Sequence, residues 1–295
     1  MEERRAAIFA KIDPPKQVVL PQPRFWHATH AFVARDGSGK QIGAGSCFAV
    51  SFDRNDAARK RCYVATATHN IHGAVARGLE RVEMLVRRMP DRATADPLVW
   101  ETAAVAIPLD SWAHGGTDVS VAPLPVDALP DDLYMETVAR EDFLDRKPVA
   151  IITAADIDLY GRWGMRGERD HVILRRGVLA SFERPTVTLD VTPGVETRGA
   201  VYVVDANVSK GMSGGLAIAN VGGGEMQQGV LGLIHGTQRL LEDDLREASV
   251  NDDEKKIRER LIKEMEIING RIVYVIPFNE VVTILDDLDA RLTRA

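Results

Sequence analysis

The chain is short of several things. Only two of its 295 residues are cysteine, Cys47 and Cys62, too few for the bridged framework of a small secreted scaffold. Basic residues are not in excess: 37 lysines and arginines face 43 acidic residues, a net charge of −6. That balance argues against a nucleic-acid partner. No apolar run approaches the ~20 residues of a spanning helix, so no membrane partner is expected. The first residues, MEERRAAIFAKIDPPKQ, carry charge without an apolar stretch of leader length. No secretory leader is therefore expected, and the chain reads as cytoplasmic with two reduced core thiols. No internal repeat of fixed period is found. The apolar share, 45%, is that of a globular protein with a real core.

Short Val- and Ile-rich runs separated by turn signals make up most of the rest. HAFVA, RDGSGKQ and GAGSCFAVSF form a hairpin pattern with Asp36, Gly37 and Gly39 in the turn. RCYVATAT, RVEMLVRR, VWETAAVAI, DVSVAPL, PVAIITAA, HVILRRGVLASF, TVTLDVT, AVYVVDA, GLAIAN, GVLGLIHG and RIVYVIPF follow as strand candidates. Spacing of this kind predicts closed barrels or sandwiches rather than alternating strands and helices. Two segments break the pattern. Ile257, Leu261, Met265 and Ile268 recur at helical spacing in a charged stretch, ended by Asn269 and Gly270. Val281, Ile284, Leu285 and Leu288 do the same near the C-terminus, with Asn279 as a candidate cap.

The densest glycine signal is SKGMSGG, Ser209 to Gly215. Read alone it is a glycine-rich hairpin loop, or a turn that presents Ser213 as a nucleophile. A serine hydroxyl needs a base, and the base needs orienting. A developing oxyanion needs N–H donors, which a Gly-x-Ser turn can supply from Gly211 and Ser213. His69, where CYVATA runs into THN, is the candidate base at a strand end. Asp118, opening the alternating run DVSVAPL, is the candidate orienting carboxylate. A structural histidine and a turn aspartate are the plainer readings of these two. Along the chain the order is His, Asp, Ser, one of the known orders for such a triad.

With these flanks the chain resembles the trypsin-like (chymotrypsin-fold) serine peptidases, nearer compact bacterial members than digestive ones. GAGSCFAVS resembles the family's GSGF-type strand, VATATHN its TAAH-type motif, TDVSVAPL its DLAVL-type strand and KGMSGG its GDSGG or GNSGG turn. GVLGLIHG and RIVYVIPFNEV resemble the two strands and the closing helix that follow. The likeness runs from about residue 25 to about residue 290 in the family's order.

That resemblance implies an all-β fold of two six-stranded antiparallel barrels. An N-terminal extension would cover 1–22, a first barrel with His69 and Asp118 would cover 23–137, and a second with Ser213 would cover 138–295. The second would carry a charged helical insertion at 237–269 and a C-terminal helix at 279–293. The implied activity is hydrolysis of peptide bonds in protein or peptide substrates through an acyl-enzyme, with Gly211 and Ser213 as oxyanion donors and neither metal nor cofactor required. A peptide-binding module of the same fold without turnover is the alternative. A metal reading, from the three-residue spacings His27/His30 and His69/His72, lacks a completing ligand set.

Departures from the family pattern mark the open questions. Met212 stands where digestive members have an aspartate that pairs with a new N-terminus, so activation by that route is not expected. Asn70 replaces a cysteine, and His235 replaces a serine that backs the triad aspartate. Candidate substrate contacts are Asn207, Lys210, His235, Gly236 and Ile272. Asn207, at the implied pocket floor, offers no charge, and Ile272 stands where deep pockets have glycine. Together they imply a small or medium uncharged P1 residue. The insertion reads as a solvated decoration or as a regulatory, partner-docking element.

Overall fold

The computed structural model describes residues 23–51, 62–88, 102–125, 129, 133–144, 155–162, 172–181, 183–192, 195–209, 211–221, 227–237 and 272–292. The N-terminal extension, Lys210 and the expected helical insertion beyond residue 237 lie outside these residues. None of the described helices is long and apolar enough to cross a membrane.

Two β units account for almost everything described. The first begins with α1 (Pro23–Ala28) and contains β1 (Thr29–Arg35), β2 (Gln41–Ser51), β3 (Cys62–Thr66), α2 (Thr68–Val75), β4 (Arg81–Arg88), β5 (Thr102–Pro108), β6 (Ala113–His114), β7 (Ser120–Pro123), β8 (Leu133–Tyr134) and β9 (Val138–Ala139). Its sheet runs β5-β4-β1-β2-β3-β7-β6, with β8 beside β4 and β9 beside β2. Two-residue pieces such as β6, β8 and β9 are too short to leave a hydrophobic period, and the sequence patterns miss them.

The second unit is a closed six-stranded barrel, β10-β11-β14-β17-β16-β15. Its strands are β10 (Asp156–Arg162), β11 (Val172–Leu179), β14 (Tyr202–Asp205), β15 (Leu216–Val221), β16 (Gln227–Thr237) and β17 (Ile272–Pro277). A separate hairpin, β12 (Thr186–Thr192) and β13 (Val195–Ala200), interrupts it between β11 and β14. The C-terminal helix α3 (Phe278–Leu292) includes Phe278, so Asn279 lies inside its first turn rather than at its cap. The all-β, two-unit architecture expected above is present, with closure around six strands in the second unit and an extended sheet in the first.

One of the hydrophobic clusters joins residues of both units and of α3. Phe25, Phe48, Val121, Tyr160, Leu216, Phe278 and Val281 share a cluster. Phe278 stacks its ring near Phe143 at 3.8 Å and Phe48 at 5.8 Å. Aromatic burial of this kind fixes how the two units meet. Ile284 of α3 also lies against Gly115, under the loop that carries Asp118.

Cys47 and Cys62 are both buried on neighbouring strands. The β2–β3 register sets Cys47 opposite Thr66 and Cys62 opposite Ser51. Four rungs of ~3.3 Å put the two thiols about 13 Å apart along the sheet, well beyond the ~7 Å limit for bridging. Burial also pushes the Cys47 thiol up, away from the reactive thiolate. Iodoacetamide should therefore leave Cys47 and Cys62 unmodified in the native protein and alkylate both in denaturant, as read by mass spectrometry. Rapid native alkylation of Cys47 would contradict this packing.

Candidate active site

Helix α2 follows β3 after a single residue, so His69 sits in the first turn of a helix rather than at the end of a strand. Its N-cap, Ala67, has no side chain able to accept a hydrogen bond. The free N–H groups of a helix start need acceptors, and Asp118 supplies them from a distant segment. The Asp118 carbonyl accepts the Thr68 N–H at 3.4 Å, and its Oδ1 accepts the His69 N–H at 2.9 Å. The positive end of the helix also favours a carboxylate there.

The same carboxylate binds two imidazoles. His69 Nδ1 lies 2.7 Å and His235 Nδ1 2.6 Å from Asp118 Oδ2. His235 reaches it because β16 is bulged: Ile234 pairs with Val275 and Gly236 with Tyr274, leaving His235 as the extra residue. Gly236 takes φ +140° beside the bulge, a conformation few residues other than glycine adopt. Of the readings left open for His235 in the sequence (cleft lining, substrate contact, contact to the aspartate), the contact to Asp118 is present. Asp118 is fully buried. Burial pushes its carboxyl up, but the hydrogen bonds from His235 and then His69, with their charges, outweigh it and hold the group below the ordinary carboxylate range. Asp118 is therefore ionised at neutral pH. Stability linked to it is complete above the ordinary carboxylate range and is lost as pH falls through the lowered native value.

An ionised carboxylate only accepts hydrogen bonds, so both imidazoles carry their proton on Nδ1. In the neutral His69 ring, Nε2 carries the lone pair, and Ser213 Oγ lies 2.6 Å from it. The structure thus brings His69, Asp118 and Ser213 together in one hydrogen-bonded chain. His69 Nδ1, Asp118 and His235 also offer three metal-type ligand atoms within 4.8 Å of one another. Oδ2 already stands at proton-bonded distance from both nitrogens. His72, three residues beyond His69, packs near His114 at 5.3 Å between ring centroids.

Ser213 stands on two consecutive turns. Met212 N–H donates to Ser209 O at 3.2 Å, and Gly215 N–H to Met212 O at 2.9 Å. The third residue of each turn is a glycine with positive φ, Gly211 at +98° and Gly214 at +86°. A β-carbon on Gly214 would also collide with Ser46 O and Thr66 Oγ1. The turns are tied to β16 through Gly214 N–H to Ile234 O at 2.7 Å and Ile234 N–H to Gly215 O at 2.9 Å. Among the described residues, the N–H groups of Gly211 and Ser213 donate to no acceptor.

Residues of the first unit grip this turn. Ser46 N–H donates to Ser213 O at 2.8 Å and Ser46 Oγ to Gly211 O at 2.7 Å. Asn70 Nδ2 donates to Ser213 O at 3.2 Å. Thr66 Oγ1 donates to Ser46 O at 2.7 Å, and Arg162 N–H to Ser46 Oγ at 2.7 Å. Ser46, Thr66 and Asn70 were not singled out from the sequence as site residues. The available signal was a serine and a threonine within apolar buried strands, since a buried hydroxyl needs partners.

Met212 points away from the site. It is buried among Leu159, Val204, Ala217 and Ile234 in the second barrel, and a β-carbon at Gly161 would strike it. Of the substrate-contact candidates, Asn207 is exposed, Gly236 and Ile272 are half-buried, and Lys210 is outside the described residues.

Comparison with known proteins agrees with this fold. No family profile matches the chain, and no curated protein sequence matches it. Among solved structures, an inactive-form mutant of Rv3671c from M. tuberculosis H37Rv aligns over 95% of this chain and 96% of its own, at 15% identity and a TM-score of 0.50. The active form of the Rv3671c protease aligns over 93% and 92%, at 16% identity and a TM-score of 0.48. The chain therefore has a protease fold of the double-barrel type.

Because Met212 is packed in the barrel, Met212→Leu should cost less than about 1.5 kcal/mol in urea unfolding. Met212→Asp, which places a carboxylate without a cation in that core, should cost about 3–5 kcal/mol. Equal costs for the two would show that the side chain is not buried as described.

Proposed function

We propose that the chain is a serine endopeptidase of the trypsin-like kind. The observation that carries this is the 2.6 Å approach of Ser213 Oγ to His69 Nε2, with His69 Nδ1 2.7 Å from the buried Asp118 carboxylate. That spacing is hydrogen-bond reach between nucleophile, base and orienting group.

In this reading Ser213 Oγ attacks the peptide carbonyl carbon as its proton passes to His69 Nε2. The carbonyl π pair moves onto oxygen, and the N–H groups of Gly211 and Ser213 receive the oxyanion. Asp118 stabilises the imidazolium through Nδ1–H. Collapse of the adduct breaks the C–N bond, the amine leaves with the proton from His69, and Ser213 holds the acyl group as an ester. Water then gives a proton to His69 and its oxygen to the acyl carbon, and a second collapse returns the proton to Ser213 and releases the carboxylic acid. No step requires a metal or cofactor.

The substrate is a protein or peptide. Asn207, neutral and exposed, and Ile272, half-buried, favour a small or medium uncharged P1 side chain. His235 belongs to the Asp118 hydrogen-bond network in this reading.

A fluorophosphonate reports directly on the nucleophile, because Ser213 Oγ displaces fluoride at phosphorus only when a base takes its proton. One label per chain is expected, absent in Ser213→Ala. His69→Ala should label about 10³-fold more slowly or worse. Folded wild-type protein that resists the label would instead support a peptide-binding module without turnover.

A further inference from the structure

Three successive peptide planes of the nucleophile turn, from Gly211 to Gly214, are held by hydrogen bonds. The plane joining Met212 to Ser213 has its carbonyl taken by Gly215 N–H. The plane joining Ser213 to Gly214 is held at both ends, its carbonyl by Ser46 N–H and Asn70 Nδ2 and its N–H by Ile234 O. The plane joining Gly211 to Met212 is also held at both ends, its carbonyl by Ser46 Oγ and its N–H by Ser209 O.

The Gly211 N–H, one of the two proposed oxyanion donors, comes just before these planes and donates to no acceptor among the described residues. Gly211 has no β-carbon to restrain its backbone, and it already stands at φ +98°. At the Gly211 conformation found here, holding the Gly211–Met212 plane next to it also holds the direction of that N–H. That plane is fixed from the first unit by one side-chain hydroxyl. The direction of the bond is unambiguous: Ser46 Oγ accepts the Arg162 N–H, and a carbonyl cannot donate, so its own proton goes to Gly211 O. Ser46 is completely buried, and its N–H, Oγ and carbonyl are all engaged.

We propose that Ser46 is a positioning residue for the oxyanion hole: its hydroxyl, reaching from the first β unit, locks the Gly211–Met212 peptide and so aims the Gly211 N–H at the substrate oxygen. The inference rests on the peptidase reading. It adds that the oxyanion hole is completed only when the two units are docked, because the residue that sets it belongs to the unit opposite the nucleophile.

The test uses the full chain, a peptide substrate and a matching peptidyl trifluoromethyl ketone. Ser213 Oγ adds to the ketone carbon, its proton goes to His69, and the resulting oxyanion occupies the hole without bond cleavage. Loss of a full oxyanion donor costs about 10²–10³-fold in kcat, so misaiming one is expected to cost about 10–100-fold. Ser46→Ala should lower kcat by that factor with KM within about twofold, and weaken ketone binding by the same factor. Ser46→Thr, which keeps the hydroxyl, should restore both. If Ser46→Ala does not fold, Ser46→Cys, a weaker donor of similar size, is read in the same way.

A lower melting temperature with unchanged kcat and ketone affinity would assign Ser46 a purely structural role and overturn the proposal. So would equal losses in Ser46→Ala and Ser46→Thr. Wild-type protein that neither cleaves peptides nor binds the ketone would overturn the peptidase reading, and this inference with it.

Discussion

A carboxylate with no contact to water is the constraint around which the site is arranged. Asp118 accepts one backbone N–H and two imidazole N–H groups, and each donor comes with a structural consequence. The His69 N–H is the second free donor of a helix that has no side-chain cap of its own. The His69 ring is held in the tautomer that leaves Nε2 basic. The His235 ring is held at a bulge in the second barrel. An unpaired carboxylate at this depth would cost several kcal/mol, and the three donors together offset that cost. Helix start, imidazole and bulged strand are thereby placed relative to one another by a single anion.

The nucleophile turn answers to the opposite unit as well. Two of its carbonyls are held by Ser46 of β2, and one of those by Asn70 of α2 as well. The turn itself is attached to β16 through Ile234, next to His235. The Asp118 network and the Ser213 turn therefore meet in adjacent residues of one strand. A shared core of Phe48, Tyr160, Leu216 and Phe278 supports that junction from below. Fold and site are coupled through the docking of two β units.

How much of this could be read in the sequence depended on range. His69, Asp118 and Ser213 were legible because each sits at the edge of a local apolar run, and their order along the chain restricts the architecture. The C-terminal helix was legible from its period, to within a residue. His235 was identified as a candidate, with contact to substrate, contact to the triad and plain cleft lining left open, because a bulge leaves no mark in an alternating run that would choose among them. Ser46 and Asn70 were invisible as site residues because their partners lie 167 and 143 positions away for the same carbonyl, that of Ser213, beyond any local pattern. Met212 looked like a defect in a motif. In the fold it is a core residue of the second barrel.

The sharing of Asp118 by two imidazoles is tested most directly by proton NMR of the histidine rings. At neutral pH the account predicts two strongly downfield ring N–H resonances, from Nδ1–H of His69 and of His235. Both should vanish in Asp118→Asn, and only one should persist in His235→Ser. A single such resonance in the wild type, or two that survive loss of the carboxylate, would contradict it.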